Sequence, residues 1–209
     1  MYNMDWQRII YVLPGILLGL TVHEYCHALA AWKLGDSTAR NQGRVTLNPI
    51  RHIDPIGFLL IIFAGFGWAK PVQFDPEQLQ NFRRDRAIIA FAGPLSNLAL
   101  AIFLSLVVRA ILHFDTAGFD GFSLTILQIV HSAAAINFML FVFNMLPIPP
   151  LDGSHIVFSV LNTNPETEAT LRKIGMPALF VILIIQNFAG ITILPIGSMV
   201  RAMVNFFMM

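Results

Sequence analysis

Charge is scarce in this sequence: only 12% of its 209 residues are Asp, Glu, Lys or Arg, about half the usual fraction, while 56% are hydrophobic. No hydrophilic stretch is long enough to form a separate water-soluble domain. The composition therefore predicts one polytopic membrane domain over residues 1–209 in contact with the lipid bilayer. A single cysteine, Cys26, excludes an intramolecular disulfide. The formal charge of +1 has no basic stripe behind it, so nucleic acid is not expected as a partner. There is no internal repeat or low-complexity tract. The first apolar run lacks a small-residue cleavage site and is read as a retained helix.

Against this background one polar cluster stands out. Ile9 to Trp32 is a 24-residue run whose single formal charge is Glu24, and inside it lies His23-Glu24-Tyr25-Cys26-His27. On a helix the two histidines are four residues apart, so both imidazoles leave one face about a turn apart and can share a metal ion. Glu24 is turned about 100° away and can reach a metal-bound water without being a ligand. An acidic residue at the centre of a spanning helix costs about 2.5–3.5 kcal/mol by insertion scales, which argues that Glu24 has a use there.

The remainder reads as further spans and punctuated loops. Ala87 to Val108, Phe122 to Leu146, Ile174 to Phe188 and Ile191 to Phe207 are apolar, which with the first run predicts about five transmembrane helices. Ile56 to Phe66 is apolar but short and carries Gly57 and Gly65, which suits a re-entrant segment. Arg44 to Leu47 alternates like a strand, so residues 40–75 are expected to combine that segment with a β-hairpin. Of 13 Lys and Arg residues, seven lie between Asp36 and Arg86. Keeping that loop on one side makes it cytoplasmic, with the N-terminus outside, the C-terminus inside and the metal motif toward the cytoplasmic face.

Two histidines do not complete a site, because a catalytic zinc takes three protein ligands and leaves a fourth position open. The available groups are Asp54, Asp75, Glu77, Asp115, Asp120, His131, Asp152 and His155. Asp152 follows the prolines at 147, 149 and 150 and shares a leaflet with His27, yet an Asp at a helix start is also an ordinary N-cap. Both readings of Asp152 stand open on spacing, with His155 a weaker ligand.

Three segments together resemble the site-2 protease family of intramembrane zinc metalloproteases: His23 to His27, Gly93-Pro94-Leu95-Ser96-Asn97, and Asn144 to Gly153. Gly43 to Pro49 and Gly65 to Pro71 resemble its compact bacterial branch. The resemblance implies that His23, His27 and Asp152 bind one Zn2+ and that Glu24 is the general base. It also implies that Asn144, together with Asn97, contacts the substrate backbone or the oxyanion. A transmembrane segment of a protein substrate would lie extended beside the Gly43 to Pro71 region, where Gly65 and Gly67 are the candidate contacts. The implied location is the bacterial plasma membrane. A different class, a metal-ion transporter, or a proteolytically inactive homologue that binds membrane proteins, would explain intramembrane His and Asp residues by an ion path or a docking role. Absence of an inverted repeat opposes the first and an intact Glu24 the second.

Overall fold

The computed structural model describes residues 6–64, 67–114 and 118–208; among these the regular structure is helical, with no strand. The helices are α1 (Trp6–Lys33), α2 (Thr38–Asn41), α3 (Pro55–Ala64), α4 (Phe82–Phe114), α5 (Gly121–Asn144), α6 (Asp152–Leu161), α7 (Pro165–Phe188) and α8 (Ile196–Met208). Helix is the expected solution here, because in hydrocarbon each backbone N–H and C=O must find its partner within the segment. Among the described residues three helices are long and apolar enough to cross a membrane: Ile9–Lys33, Phe82–Phe114 and Gly121–Asn144. The two expected spans that follow fall in helices α7 and α8, neither of which meets that measure. The first part of α7 carries Glu166, Glu168, Arg172 and Lys173, and α8 has only 13 residues.

Helices α1, α4 and α5 pack on one another to form the bundle that carries the site. A close approach of α1 to α5 uses a Gly15-x-x-x-Gly19 pair on α1. A Cβ on Gly15 would fall 2.6 Å from Cα of Ala133, and one on Gly19 would meet Leu140 and Asn137 at 2.7 and 2.9 Å. Small residues four apart let two backbones meet where larger ones would hold them off. One polar link joins the three helices: Asn97 of α4 donates to the Gly19 carbonyl (3.0 Å) and to Oδ1 of Asn137 (2.8 Å).

At the other end of α4, buried Arg86 donates to Ser159 Oγ of α6 (2.8 Å) and to both carboxylate oxygens of Glu168 of α7 (3.0 and 2.8 Å). Arg83 adds two bonds to the Ser159 carbonyl. These contacts fix α6, and with it Asp152, against α4. Gly153 lies so close to the Met145 and Leu146 carbonyls that a side chain there would collide with them. The last helix packs against α5, where Phe207 stacks on Phe138 with ring centroids 5.5 Å apart.

The region from residue 40 to 75 differs from the expected hairpin. Its only bridge among the described residues is an isolated antiparallel one between Ile53 and Ala69, beside a bond from Lys70 N to the His52 carbonyl (2.8 Å). The alternating Arg44 to Leu47 stretch does not pair as a strand, because side chains serve the carbonyls that a ladder would. Arg44 donates to the Pro71 and Lys70 carbonyls, and His52 Nε2 lies 2.7 Å from the Thr46 carbonyl. The Ile53–Ala69 bridge also brings the two ends of the α3 segment together. Gly57 and Gly67 make this approach possible, each packed against the other limb where a Cβ has no room.

Candidate metal centre

The two histidines project from the second half of α1 toward α4 and α6. Nδ1 of His23 lies 2.6 Å from Oδ1 of Asn97, and Nδ1 of His27 lies 2.7 Å from the Ile89 carbonyl. Both of these partners are acceptors, so each Nδ1 carries its ring's proton and each Nε2 turns a lone pair inward. The two Nε2 atoms are 2.9 Å apart, and Oδ2 of Asp152 is 3.1 Å from one and 3.3 Å from the other. Oδ2 is buried and has no hydrogen-bond partner. Three lone-pair atoms at this spacing repel one another unless a cation lies among them. His23, His27 and Asp152 are the one group among the described residues whose ligand atoms converge on a shared metal position.

Two further observations fit a metal. Ligands about 2.0–2.1 Å from a tetrahedral zinc stand about 3.3 Å apart, close to the edges seen here. Gly93 of α4 faces the pair, and a Cβ on it would sit 2.7 Å from His23 Nε2 and nearer still to His27 Nε2. The bare glycine leaves that space open.

Glu24 lies next to this group without belonging to it. Its carboxylate is buried, accepts the Val72 N–H through Oε2 (3.1 Å), and has the Arg44 guanidinium 3.7 Å away. The loop from Gly43 to Val72 thus folds over the site and touches the carboxylate rather than the imidazoles.

Residues 11–186 match the family model for Peptidase family M50. The chain belongs to this family. Its relatives include "Putative zinc metalloprotease YwhC" of Bacillus subtilis, 34% identical over 186 residues that cover 88% of this chain and 84% of that protein. "Putative zinc metalloprotease Rip2" of Mycolicibacterium smegmatis is 32% identical over 173 residues, 78% of this chain and 61% of the relative. The Rip2 protein of Mycobacterium tuberculosis is 30% identical over 181 residues, 84% and 66% respectively, so the chain spans under two thirds of the length of both Rip2 proteins. No solved structure matches the chain.

Within this M50 chain three of the acidic alternatives to Asp152 are caps. Asp54 accepts from Gly57 N, Asp75 from Glu77 N and Asp120 from Ser123 N. Hydrogen bonds, from Gln78 first for Asp75 and from Ser123 for Asp120, hold both carboxyls below their ordinary values. Asp152 makes no such bond: Leu151 occupies the N-cap of α6, which has no side-chain cap, and Asp152 is the first helical residue. His155 stays outside the ligand group with its Nδ1 buried and unpartnered. Burial first, then Arg172, pushes its pKa down to about 4, so its ring is neutral. Asp115 lies outside the described residues.

The expected substrate contacts fare differently. Asn97 is fully buried, and its oxygen and both amide hydrogens are engaged by His23, Gly19 and Asn137, which leaves nothing to offer a substrate. Asn144 closes α5 and donates to the Leu140 carbonyl (3.0 Å), with a second N–H remaining. Gly67 is used in packing against α3, and Gly65 lies outside the described residues. Sequence reasoning passed over Asn137, Val72 and Arg44. Arg44 alone carried a signal, as a charge inside an alternating apolar stretch.

Proposed function

We propose that this chain is a zinc-dependent endopeptidase that cuts peptide bonds within or near transmembrane segments of membrane proteins. The observation that carries it is the buried convergence of His23 Nε2, His27 Nε2 and Asp152 Oδ2, with the Glu24 carboxylate beside the group and outside it. A transporter path has no need of a buried carboxylate that stands next to the ligands without joining them.

In this reading His23, His27 and Asp152 hold one Zn2+. Bound there, zinc polarises a carbonyl oxygen and lowers the pKa of a coordinated water to about 7. Glu24 accepts the proton of the attacking water and delivers it to the departing amine nitrogen. Asn144 offers its free amide hydrogen to the substrate backbone or to the oxygen on which charge develops. Asn97 acts from behind His23, fixing its tautomer and ring direction, in place of the substrate contact expected of it. A substrate helix hides its carbonyls in its own hydrogen bonds and must unwind before cleavage, so Gly- or Pro-interrupted segments are the preferred substrates. The Gly43 to Pro71 region supplies the edge beside which such a segment lies.

Charge supports the orientation. With α1, α4 and α5 crossing, the loop rich in Arg and Lys faces the cytoplasm, and the Ile53–Ala69 bridge keeps the α3 segment on that side. The single domain then sits in the plasma membrane with its metal centre toward the cytoplasmic face, α7 and α8 completing the bundle.

The test compares purified wild type with Glu24→Gln and His23→Ala for metal content and for cleavage of a model transmembrane substrate. Glu24→Gln should retain zinc and lose cleavage, and His23→Ala should lose both. Zinc loss in Glu24→Gln, with residual cleavage scaling to residual metal, would make Glu24 a ligand and sink the assignment.

A further inference from the structure

Arg44 is a long cation that the metal reading leaves without a task, yet it is 4% exposed and lies under the loop that covers the site. One Nη donates to the Pro71 carbonyl at 3.2 Å, and the other donates to the Lys70 carbonyl and stands 3.5 Å from His52 Nδ1. That second nitrogen is also the one 3.7 Å from Glu24 Oε2. His52 gives its Nε2–H to the Thr46 carbonyl, so its Nδ1 is bare and turns toward the guanidinium as an acceptor. Nε of Arg44 is buried with no partner, so the guanidinium leaves one donor unmet while both Nη groups are placed on the loop. The N–H that follows those two carbonyls, at Val72, is the one that Glu24 accepts.

We propose that Arg44 is a positioning residue for peptide hydrolysis: it clamps the Lys70–Val72 backbone against Glu24 and so sets the direction in which the general base points. This rests on the role proposed for Glu24. A carboxylate free to rotate presents its lone pairs in many directions, and proton transfer needs one of them aimed at the water. The Val72 N–H and the guanidinium both engage Oε2, which leaves Oε1 as the oxygen available for the proton. Arginine suits this task and lysine does not, because only a planar fork reaches two successive carbonyls and a carboxylate together.

The test uses the full-length, zinc-loaded protein and the variants Arg44→Gln, Arg44→Lys and Glu24→Ala, with three readouts: zinc stoichiometry, kcat and KM on a model transmembrane substrate, and hydrogen exchange at the Val72 amide. Arg44→Gln should keep full zinc and lower kcat by about tenfold or more with KM within about twofold, the signature of an interaction made in the transition state. Arg44→Lys should fall between, since it keeps the charge without the fork. Exchange at Val72 should quicken in Arg44→Gln and in Glu24→Ala, and the double variant should be no faster than the quicker single one. Normal kcat in Arg44→Gln with Val72 still protected would overturn the proposal. So would a rise in KM alone, which would make Arg44 a substrate-docking group, or loss of zinc, which would place it in the metal site. Should wild type itself fail to cleave, the hydrolase reading falls, and the exchange comparison still decides whether the clamp exists.

Discussion

Asn97 offers a sharp test, since two roles for it give opposite patterns. In the structure its oxygen accepts the His23 Nδ1–H at 2.6 Å, and its nitrogen bridges α1 and α5 at 3.0 and 2.8 Å. Asn97→Ala removes the acceptor that turns the His23 Nε2 lone pair toward the metal. Removal of such an outer partner costs about 10–100-fold in metal affinity, or about 1.4–2.7 kcal/mol. The two lost interhelical bonds cost less, about 0.6 kcal/mol each in a membrane bundle, so the fold should survive and zinc affinity is the quantity that moves. Asn97→Asp keeps an acceptor for His23 but sets oxygen against the Gly19 carbonyl and Asn137 Oδ1. Its zinc affinity should therefore lie nearer wild type, while its thermal stability should be the lower of the two. Competition with a chromophoric chelator measures the first quantity, and unfolding of the detergent-solubilised protein the second. If Asn97→Ala binds zinc as wild type does and loses only kcat, Asn97 touches substrate and the positioning role is wrong.

Three more outcomes follow from the same geometry. Gly93→Ala puts a methyl group among the two Nε2 atoms and should lower zinc occupancy and cleavage together, with overpacking destabilising the protein by about 1–3 kcal/mol; full occupancy would show that the metal lies elsewhere. Asp152→Ser should stay folded, because α6 takes no side-chain cap from residue 152, yet lose most zinc and cleavage; retained zinc would remove Asp152 from the ligand set. Burial, with Arg44 adding to it, holds His52 below its ordinary pKa against the opposing pull of the Thr46 carbonyl and Glu24. The unfolded imidazole protonates below about 6.5 while the folded one resists, so the loop's stability is full above that pH and declines as pH falls from there toward the folded value. Hydrogen exchange over residues 44–72, corrected for intrinsic rates, should show protection falling from pH 7 to 5 in wild type and a flatter profile in His52→Gln, and a flat wild-type profile would contradict this.

The helical class was legible because lipid allows a spanning backbone few alternatives, and the His23–His27 pair because four residues on a helix is a geometry that needs no tertiary information. Asp152 was only half legible. Spacing placed it at a helix start, where a cap and a ligand look alike, and only the packed position of α6 separates them. The loop was misread where side chains override a backbone pattern: Arg44 to Leu47 alternates as a strand would, but Arg44 and His52 turn inward and take the carbonyl bonds themselves. The count of spans was least legible at the C-terminal end, because apolarity marks α7 and α8 without saying how far they reach.

Gly93 to Asn97 shows what a motif can and cannot say about its own role. In sequence it is a glycine, a proline and an amide inside an apolar run, and the family resemblance implied a substrate contact for the amide. In the structure Gly93 and Asn97 are four residues apart on α4 and face His23 and His27, four residues apart on α1. One helix turn of α4 is thus matched to one turn of α1, with Gly93 giving both imidazoles room and Asn97 turning His23. Each pair is visible in the sequence as a period of four. That the two periods meet depends on Gly15 and Gly19 letting α5 close on α1, and on Asn137 reaching Asn97 across the gap. The placing of the two histidines is therefore a property of three helices in register, and a substitution at either glycine of α1 acts on the site without touching His23 or His27.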